Sequence, residues 1–203
     1  MLDELRGIEQ NEVWRESPLP LDRKALGTKW VLTIKHDAQG NIERFKARLV
    51  VQEFGQEFGF DYDETYALVI RIDNVRLLFV IGAYYRDRGV VMWHVDFNNA
   101  FQNGGADYRI YIQQPLGFTN WQFPHYSLLL LKSLYGLKQG SRIWFVILCQ
   151  LILDLGFAKY QTDQCTFYSN DRWIFWSSFG ASLEPHHMIC LRHLGHNPGS
   201  MGC

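Results

Sequence analysis

The sequence predicts an α+β chain in which an antiparallel sheet packs on helices. Three observations carry this. Short runs at 29–35, 42–51, 90–97 and 108–113 are alternating or rich in β-branched and apolar residues, and turn residues separate them. Two longer segments, 74–85 and 142–155, repeat apolar residues at helical spacing. The first two runs are joined by Asp37-Ala38-Gln39-Gly40-Asn41, turn chemistry that returns one strand against the other.

Along the chain, Leu2, Leu5 and Ile8 give a first helix that ends near Trp14. Ser17-Pro18-Leu19-Pro20 reads as an extended linker, because each proline fixes its own φ and biases the residue before it away from helix. The hairpin at 29–51 follows, with Gly40 suited to a positive φ. Residues 53–68 read as irregular. In 74–85, Val75, Leu78, Phe79 and Gly82-Ala83 make a wide apolar face, and a turn at 86–89 leads into a central strand at 90–97. Pro115 stops the strand at 108–113, and Leu128 to Leu131 fit either a strand or a core helix. In 142–155, Ile143, Ile147, Leu151 and Leu155 form one stripe, with Gly156 just beyond as a stop signal. A strand at 165–169 opens a hairpin. From 177 onward the periodicity weakens and no ending element is legible.

A chain of 203 residues can bury one core, or two small subdomains sharing one, and no boundary in the sequence splits it cleanly. A net charge of -1 argues against a surface that binds nucleic acid all over, but the charge is unevenly placed. Residues 23–52 hold seven basic and two acidic side chains; residues 53–64 hold five acidic and no basic ones. The first block suits phosphates and the second does not. Four cysteines without paired spacing make a disulfide framework unexpected, so a reducing, intracellular setting (cytoplasm or nucleus, not secreted) is the expectation. The charged first ten residues do not resemble a signal peptide, and no apolar run approaches a membrane span.

Asp96 is the chemically informative residue. It ends the apolar run Val90-Val91-Met92-Trp93-His94-Val95, and a carboxylate at a strand end can project into a cleft and hold Mg²⁺ on a triphosphate. Taken alone, it is as well explained by an exposed strand end or a cap on the following turn.

The surrounding succession of motifs changes that balance. It includes Gly27-Thr28-Lys29-Trp30-Val31, Arg44-Phe45-Lys46-Ala47-Arg48-Leu49-Val50, Gly59-Phe60-Asp61-Tyr62-Asp63-Glu64-Thr65-Tyr66-Ala67 and Val95-Asp96-Phe97-Asn98-Asn99-Ala100-Phe101. Ile110-Tyr111-Ile112-Gln113-Gln114-Pro115, Ser133-Leu134-Tyr135-Gly136-Leu137-Lys138-Gln139 and Asp163-Gln164-Cys165-Thr166-Phe167-Tyr168 continue it. Over roughly residues 1–170 the chain resembles the reverse transcriptase domain of Ty1/copia-type LTR retrotransposon Pol polyproteins. The resemblance implies a partial right-hand polymerase fold, fingers plus incomplete palm, interleaved over 1–172, with 173–203 a divergent and poorly ordered tail. It implies Asp96 as the catalytic and metal carboxylate, with Mg²⁺ as cofactor. It places Lys46 and Arg48 on the fingers strand facing triphosphate and template, and Phe101 where the sugar 2′ position is screened. Tyr135, Gly136, Lys138 and Gln139 fall beneath the nascent base pair. The implied partners are an RNA or DNA template-primer and a deoxynucleoside triphosphate, with no membrane.

Departures from the family pattern are specific. The family's Ala-Phe-Leu-Asn-Gly reads Ala100-Phe101-Gln102-Asn103-Gly104, and prolines are lost at Leu68 and Ser141. The family's Tyr-Val-Asp-Asp turn is absent, and no Asp follows Asp171. Two cations about 4 Å apart need several anionic ligands, so one carboxylate does not hold both. Asp87, Asp107 and Asp154 are not expected to substitute. The sequence therefore reads as a fragment of an RNA-directed DNA polymerase, inactive alone; the alternative is a non-enzymatic nucleic-acid-binding remnant or a functionless translated pseudogene. Two smaller signals weigh less. His186, His187, Cys190, His193 and His196 have spacings of three that would share a helical face, but they match no strong zinc pattern. Trp144 is expected in the helix core, leaving Tyr135 as the aromatic residue at a cleft.

Overall fold

The computed structural model describes residues 1–67, 71–97, 99–169, 176–178 and 187–193; for His94, Asp96 and the last two segments the description covers backbone only. Helix and antiparallel sheet are mixed, as an α+β class requires. The chain forms two compact units, residues 1–66 with 101–144, and residues 67–100 with 145–203. Each unit is assembled from two separated stretches, which is why no linear boundary is legible in the sequence.

In the first unit, α1 (Leu2–Gln10) leads into β1 (Trp14–Ser17). Helical spacing alone would carry the first helix to Trp14. That residue begins a strand instead, because Trp14 pairs with Leu130 and long-range pairing overrides local helical spacing. β2 (Thr28–His36) and β3 (Ile42–Val51) form a two-stranded hairpin. At its turn the Asp37 carboxylate accepts the backbone N–H groups of Gln39 at 2.9 Å and Asn41 at 2.8 Å, and Gly40 takes φ +85°. These bonds, the one from Asn41 foremost, hold the Asp37 carboxyl below its ordinary value.

The core of this unit gathers Ile8, Val13, Leu26, Leu49, Val51, Ile110, Ile112, Leu128, Leu130, Leu134 and Leu137. A second sheet closes around it in the order β1-β6-β5, where β6 is Ser127–Leu130 and β5 is Tyr111–Ile112. All four residues of β6 are buried, which resolves the strand-or-helix ambiguity of the leucine run.

In the second unit, α2 (Ile72–Tyr84) buries Val75, Leu78 and Gly82. β4 (Val90–Asp96) follows a turn capped by Gly89 at φ +81°. Helix α3 (Gly140–Asp154) starts in the first unit and runs into the second, ending just before Gly156 at φ +87°. Val75 and Cys165 form a small core with Met92 and Phe145 against it. The sheet runs β4-β10-β9-β8-β7, with β7 at Ala158–Lys159, β8 at Thr166–Tyr168, β9 at Trp176–Ser178 and β10 at His187–His193.

Two expectations are corrected here. The sequence predicts that the 90–97 run is a central strand left without its neighbour, and that the region after 177 lacks any ending element. β10 pairs with β4 along its whole length, from His187 with Asp96 to His193 with Val90, and β4 is the outer strand of this sheet. Residues 187–193 have strand periodicity, not the helical spacing that the histidine cluster needs; His186 and His196 lie outside the described residues, as do Leu68 and Asn98.

Candidate nucleic-acid interface

The hairpin register decides which side chains share a face. Cross-strand partners point the same way, and successive residues alternate. Lys29 pairs with Val50, Val31 with Arg48, Thr33 with Lys46 and Lys35 with Arg44. One face of the hairpin therefore carries five cations: Lys29, Lys35, Arg44, Lys46 and Arg48. The other carries Trp30, Leu32, Ile34, Phe45, Ala47 and Leu49. The apolar face is buried at its base, where Leu49 joins the core, and open at its tip, where Phe45 is 77% exposed. Sequence reasoning singles out Lys46 and Arg48. The alternation at 44, 46 and 48 is the signal that would have added Arg44; Lys29 and Lys35 need the register.

Arg48 leads inward to the other predicted residues of this unit. Its guanidinium lies 5.7 Å from the centroid of the Tyr135 ring. Tyr135 meets Phe101 edge-on, with ring centroids 5.0 Å apart. The carbonyl of Tyr135 accepts the Val51 N–H at 2.8 Å, so the 135–136 turn lies directly against β3. Gly136 has φ +89°, and a Cβ there would collide with the Val51 carbonyl and stand 2.6 Å from Val50 Cγ1. Only glycine satisfies both the backbone conformation and this close approach. Phe101, in the 3₁₀ turn Ala100–Asn103, is buried.

Lys138 and Gln139 have different surroundings from those a nucleic-acid contact would suggest. Gln139 is fully buried, with 0% exposure. Its amide nitrogen donates to the Asp61 carbonyl at 2.8 Å and to Asp107 Oδ1 at 3.3 Å, and its oxygen accepts from Gln56 Nε2 at 3.0 Å. Gln56 Oε1 takes the Lys138 backbone N–H at 2.8 Å. The Lys138 ammonium bonds to the Tyr62 hydroxyl at 3.2 Å and stands over that ring. Arg142 binds Glu64 at 3.0 Å and Asp107 at 3.8 Å, and the Tyr108 hydroxyl donates to Asp63, which raises the Tyr108 pKa. The acidic segment is thus pinned against the 134–142 segment. Four of its members are occupied: Asp61 caps the Glu57 N–H, Asp63 and Glu64 take Tyr108 and Arg142, and Tyr62 takes Lys138. No local pattern announces Gln56 as the partner of a residue 83 positions away.

Asp96 closes β4 in the second unit; its side chain lies outside the described residues. Among the described residues no group of three or more His, Cys, Asp or Glu is gathered to hold a metal ion. Asp107 is committed to Arg142 and Gln139, and Asp154 accepts from Gln150 at 2.7 Å. Trp144 is buried. No helix among the described residues is long and apolar enough to cross a membrane.

One departure from the family pattern has a structural partner. Gln102 stands where the family has leucine and is 2% exposed. Asn11, at the end of α1, donates to its Oε1 at 2.8 Å. A buried amide is tolerated when it is bonded.

Comparison with known proteins places these features in context. Residues 11–173 match the family described as reverse transcriptase (RNA-dependent DNA polymerase). The retrovirus-related Pol polyprotein from transposon RE1 of Arabidopsis thaliana is 35% identical over 158 residues, 77% of this chain and 11% of that protein. The corresponding polyprotein from transposon TNT 1-94 of Nicotiana tabacum is 31% identical over 168 residues, 83% of this chain and 12% of its own length. An uncharacterized mitochondrial protein of Arabidopsis thaliana, AtMg00820, is 38% identical over 82 residues, 40% of this chain and 48% of that protein. The chain thus spans about a tenth of the length of the Pol polyproteins it matches. No solved structure matches it.

Proposed function

Because the chain belongs to the reverse transcriptase (RNA-dependent DNA polymerase) family and is similar to copia-type Pol polyproteins over most of its length, we propose that its first unit grips the template-primer of an RNA-directed DNA polymerase through the basic face of the β2–β3 hairpin. In this reading the chain holds the fingers and part of the palm of a right-hand polymerase. Arg48 and Lys46 meet phosphates of the template or of the incoming deoxynucleotide, Phe101 screens the sugar, and Tyr135 and Gly136 support the nascent pair. Lys138 and Gln139 serve from beneath, by fixing residues 53–66 against the 134–139 turn. The observation that carries the proposal is the single-faced array of five cations, with Arg48 stacked on Tyr135 and Tyr135 on Phe101.

Asp96 is the carboxylate that would hold Mg²⁺, whose chemistry is to draw charge off a triphosphate. One carboxylate at the family's motif positions does not fit two cations, so no catalytic step is derived for these 203 residues. Primer extension on a primed RNA template with Mg²⁺ is expected to show no incorporation. Incorporation that disappears in Asp96→Asn would overturn this. Binding is tested with a labelled primer-template at several salt concentrations. Lys46→Ala with Arg48→Ala is expected to weaken binding and flatten its salt dependence, by about 0.7–0.9 in log K per log salt for each phosphate no longer neutralised. Unchanged affinity would remove the two residues from the interface.

A further inference from the structure

We infer that Glu4 of α1 is the anionic counterpart of Arg48 and Lys46, so that Glu4 and a nucleic-acid phosphate compete for the same two cations. The inference rests on the proposed nucleic-acid face and adds a residue that sets its affinity.

Among the described residues β3 pairs with β2 alone, which leaves its other edge for a different partner. Glu4, one turn into α1, is half-buried and accepts the backbone N–H of Leu49, the residue next to Arg48. Its charge is felt by Arg48 and, more weakly, by Lys46. Its Oε1 is buried with no hydrogen-bond partner. A carboxylate in the first turn of a helix is ordinarily explained by the helix dipole alone. That account is sufficient for Asp3, which is exposed and pairs with Arg6 at 3.3 Å on the helix surface. It does not explain why Glu4 is turned inward to β3. Burial raises the Glu4 pKa, with the Leu49 bond, Arg48 and Lys46 acting in the opposite sense. The ionised carboxylate is therefore poorly solvated and held by its cationic neighbours.

A phosphate that reaches Arg48 meets a cation already partly neutralised and held over Tyr135. Removing the Glu4 charge while keeping its shape should free binding strength. Glu4→Gln retains an acceptor for the Leu49 N–H. Glu4→Met, an apolar chain of similar length, is the second variant should the first fail to fold.

The experiment is fluorescence anisotropy of a labelled primed RNA template against wild type, Glu4→Gln, Arg48→Ala, the Glu4→Gln/Arg48→Ala pair, and Asp3→Asn as the surface control. Glu4→Gln is expected to bind about 3- to 10-fold more tightly near 50 mM salt and to steepen the salt dependence by about 0.7–0.9, the slope of one neutralised phosphate. The gain is expected to vanish in the Arg48→Ala background, and Asp3→Asn to match wild type. If Arg48→Ala weakens binding but Glu4→Gln binds like wild type or less tightly, the inference is wrong while the nucleic-acid face stands. If Arg48→Ala has no effect, the nucleic-acid face itself fails and the inference falls with it.

Discussion

Gly136→Ala tests the closest backbone approach in the candidate interface. Two separable costs arise. At φ +89° an alanine pays about 1–2 kcal/mol for the left-handed conformation alone. Its Cβ would also strike the Val51 carbonyl and approach Val50 Cγ1 at 2.6 Å and Val51 N at 3.0 Å. Two of these three neighbours are backbone atoms of β3 and cannot rotate away. Forcing them apart costs about 1–3 kcal/mol as overpacking. It also stretches the 2.8 Å bond from the Val51 N–H to Tyr135, worth about 1 kcal/mol. The total, about 3–6 kcal/mol, is a large share of the roughly 5–15 kcal/mol that holds a native protein together. Gly59→Ala is the internal control, because Gly59 has φ +82° and nothing within 4 Å of a new Cβ. It should show only the conformational part. Urea unfolding followed by tryptophan fluorescence reads both, and with a slope of about 1–3 kcal/mol per molar the Gly136→Ala midpoint should fall at least 1 M below that of Gly59→Ala. Equal midpoints would show that the 135–136 turn does not press on β3, and the stacking of Arg48 on Tyr135 would lose its structural support.

Three further outcomes are expected. Asn11→Ala should cost about 1–3 kcal/mol by stranding the buried Gln102 amide, whereas Asn11→Ala with Gln102→Leu should recover most of that loss; additive costs in the double-mutant cycle would refute the coupling. The Glu4 pKa is raised above the ordinary 4.5, so the folded state binds its proton more tightly than the unfolded state. That contribution is complete below about pH 4.5 and is lost as pH rises through the raised value, and Glu4→Gln should flatten this part of the stability profile; an unchanged profile would contradict the burial of Glu4. Hydrogen exchange should find slowed amides within 187–193, where the backbone pairs with β4 and β9, and uniformly fast exchange there would refute that pairing.

Much of the molecule is legible in the linear chain because the forces involved are local. Alternation gives the β2–β3 hairpin, Asp37 and Gly40 give its turn, apolar spacing gives α2 and α3, and Gly156 marks the end of α3. The succession of motifs up to residue 170 agrees with the family match over 11–173. Tertiary structure alone decides the rest, because those features depend on partners far apart in the chain. Trp14 becomes a strand residue when it finds Leu130, and β10 emerges from a stretch without clear periodicity by pairing with β4. Gln139 has motif position in the sequence, but its burial and its bonds to Gln56, Asp61 and Asp107 belong to the fold. Gln102 is a departure from pattern until Asn11, 91 residues away, supplies its bond. A sequence fixes which side chains can bond or stack. Which of them meet, and whether water is excluded when they do, is settled only when distant segments pack together.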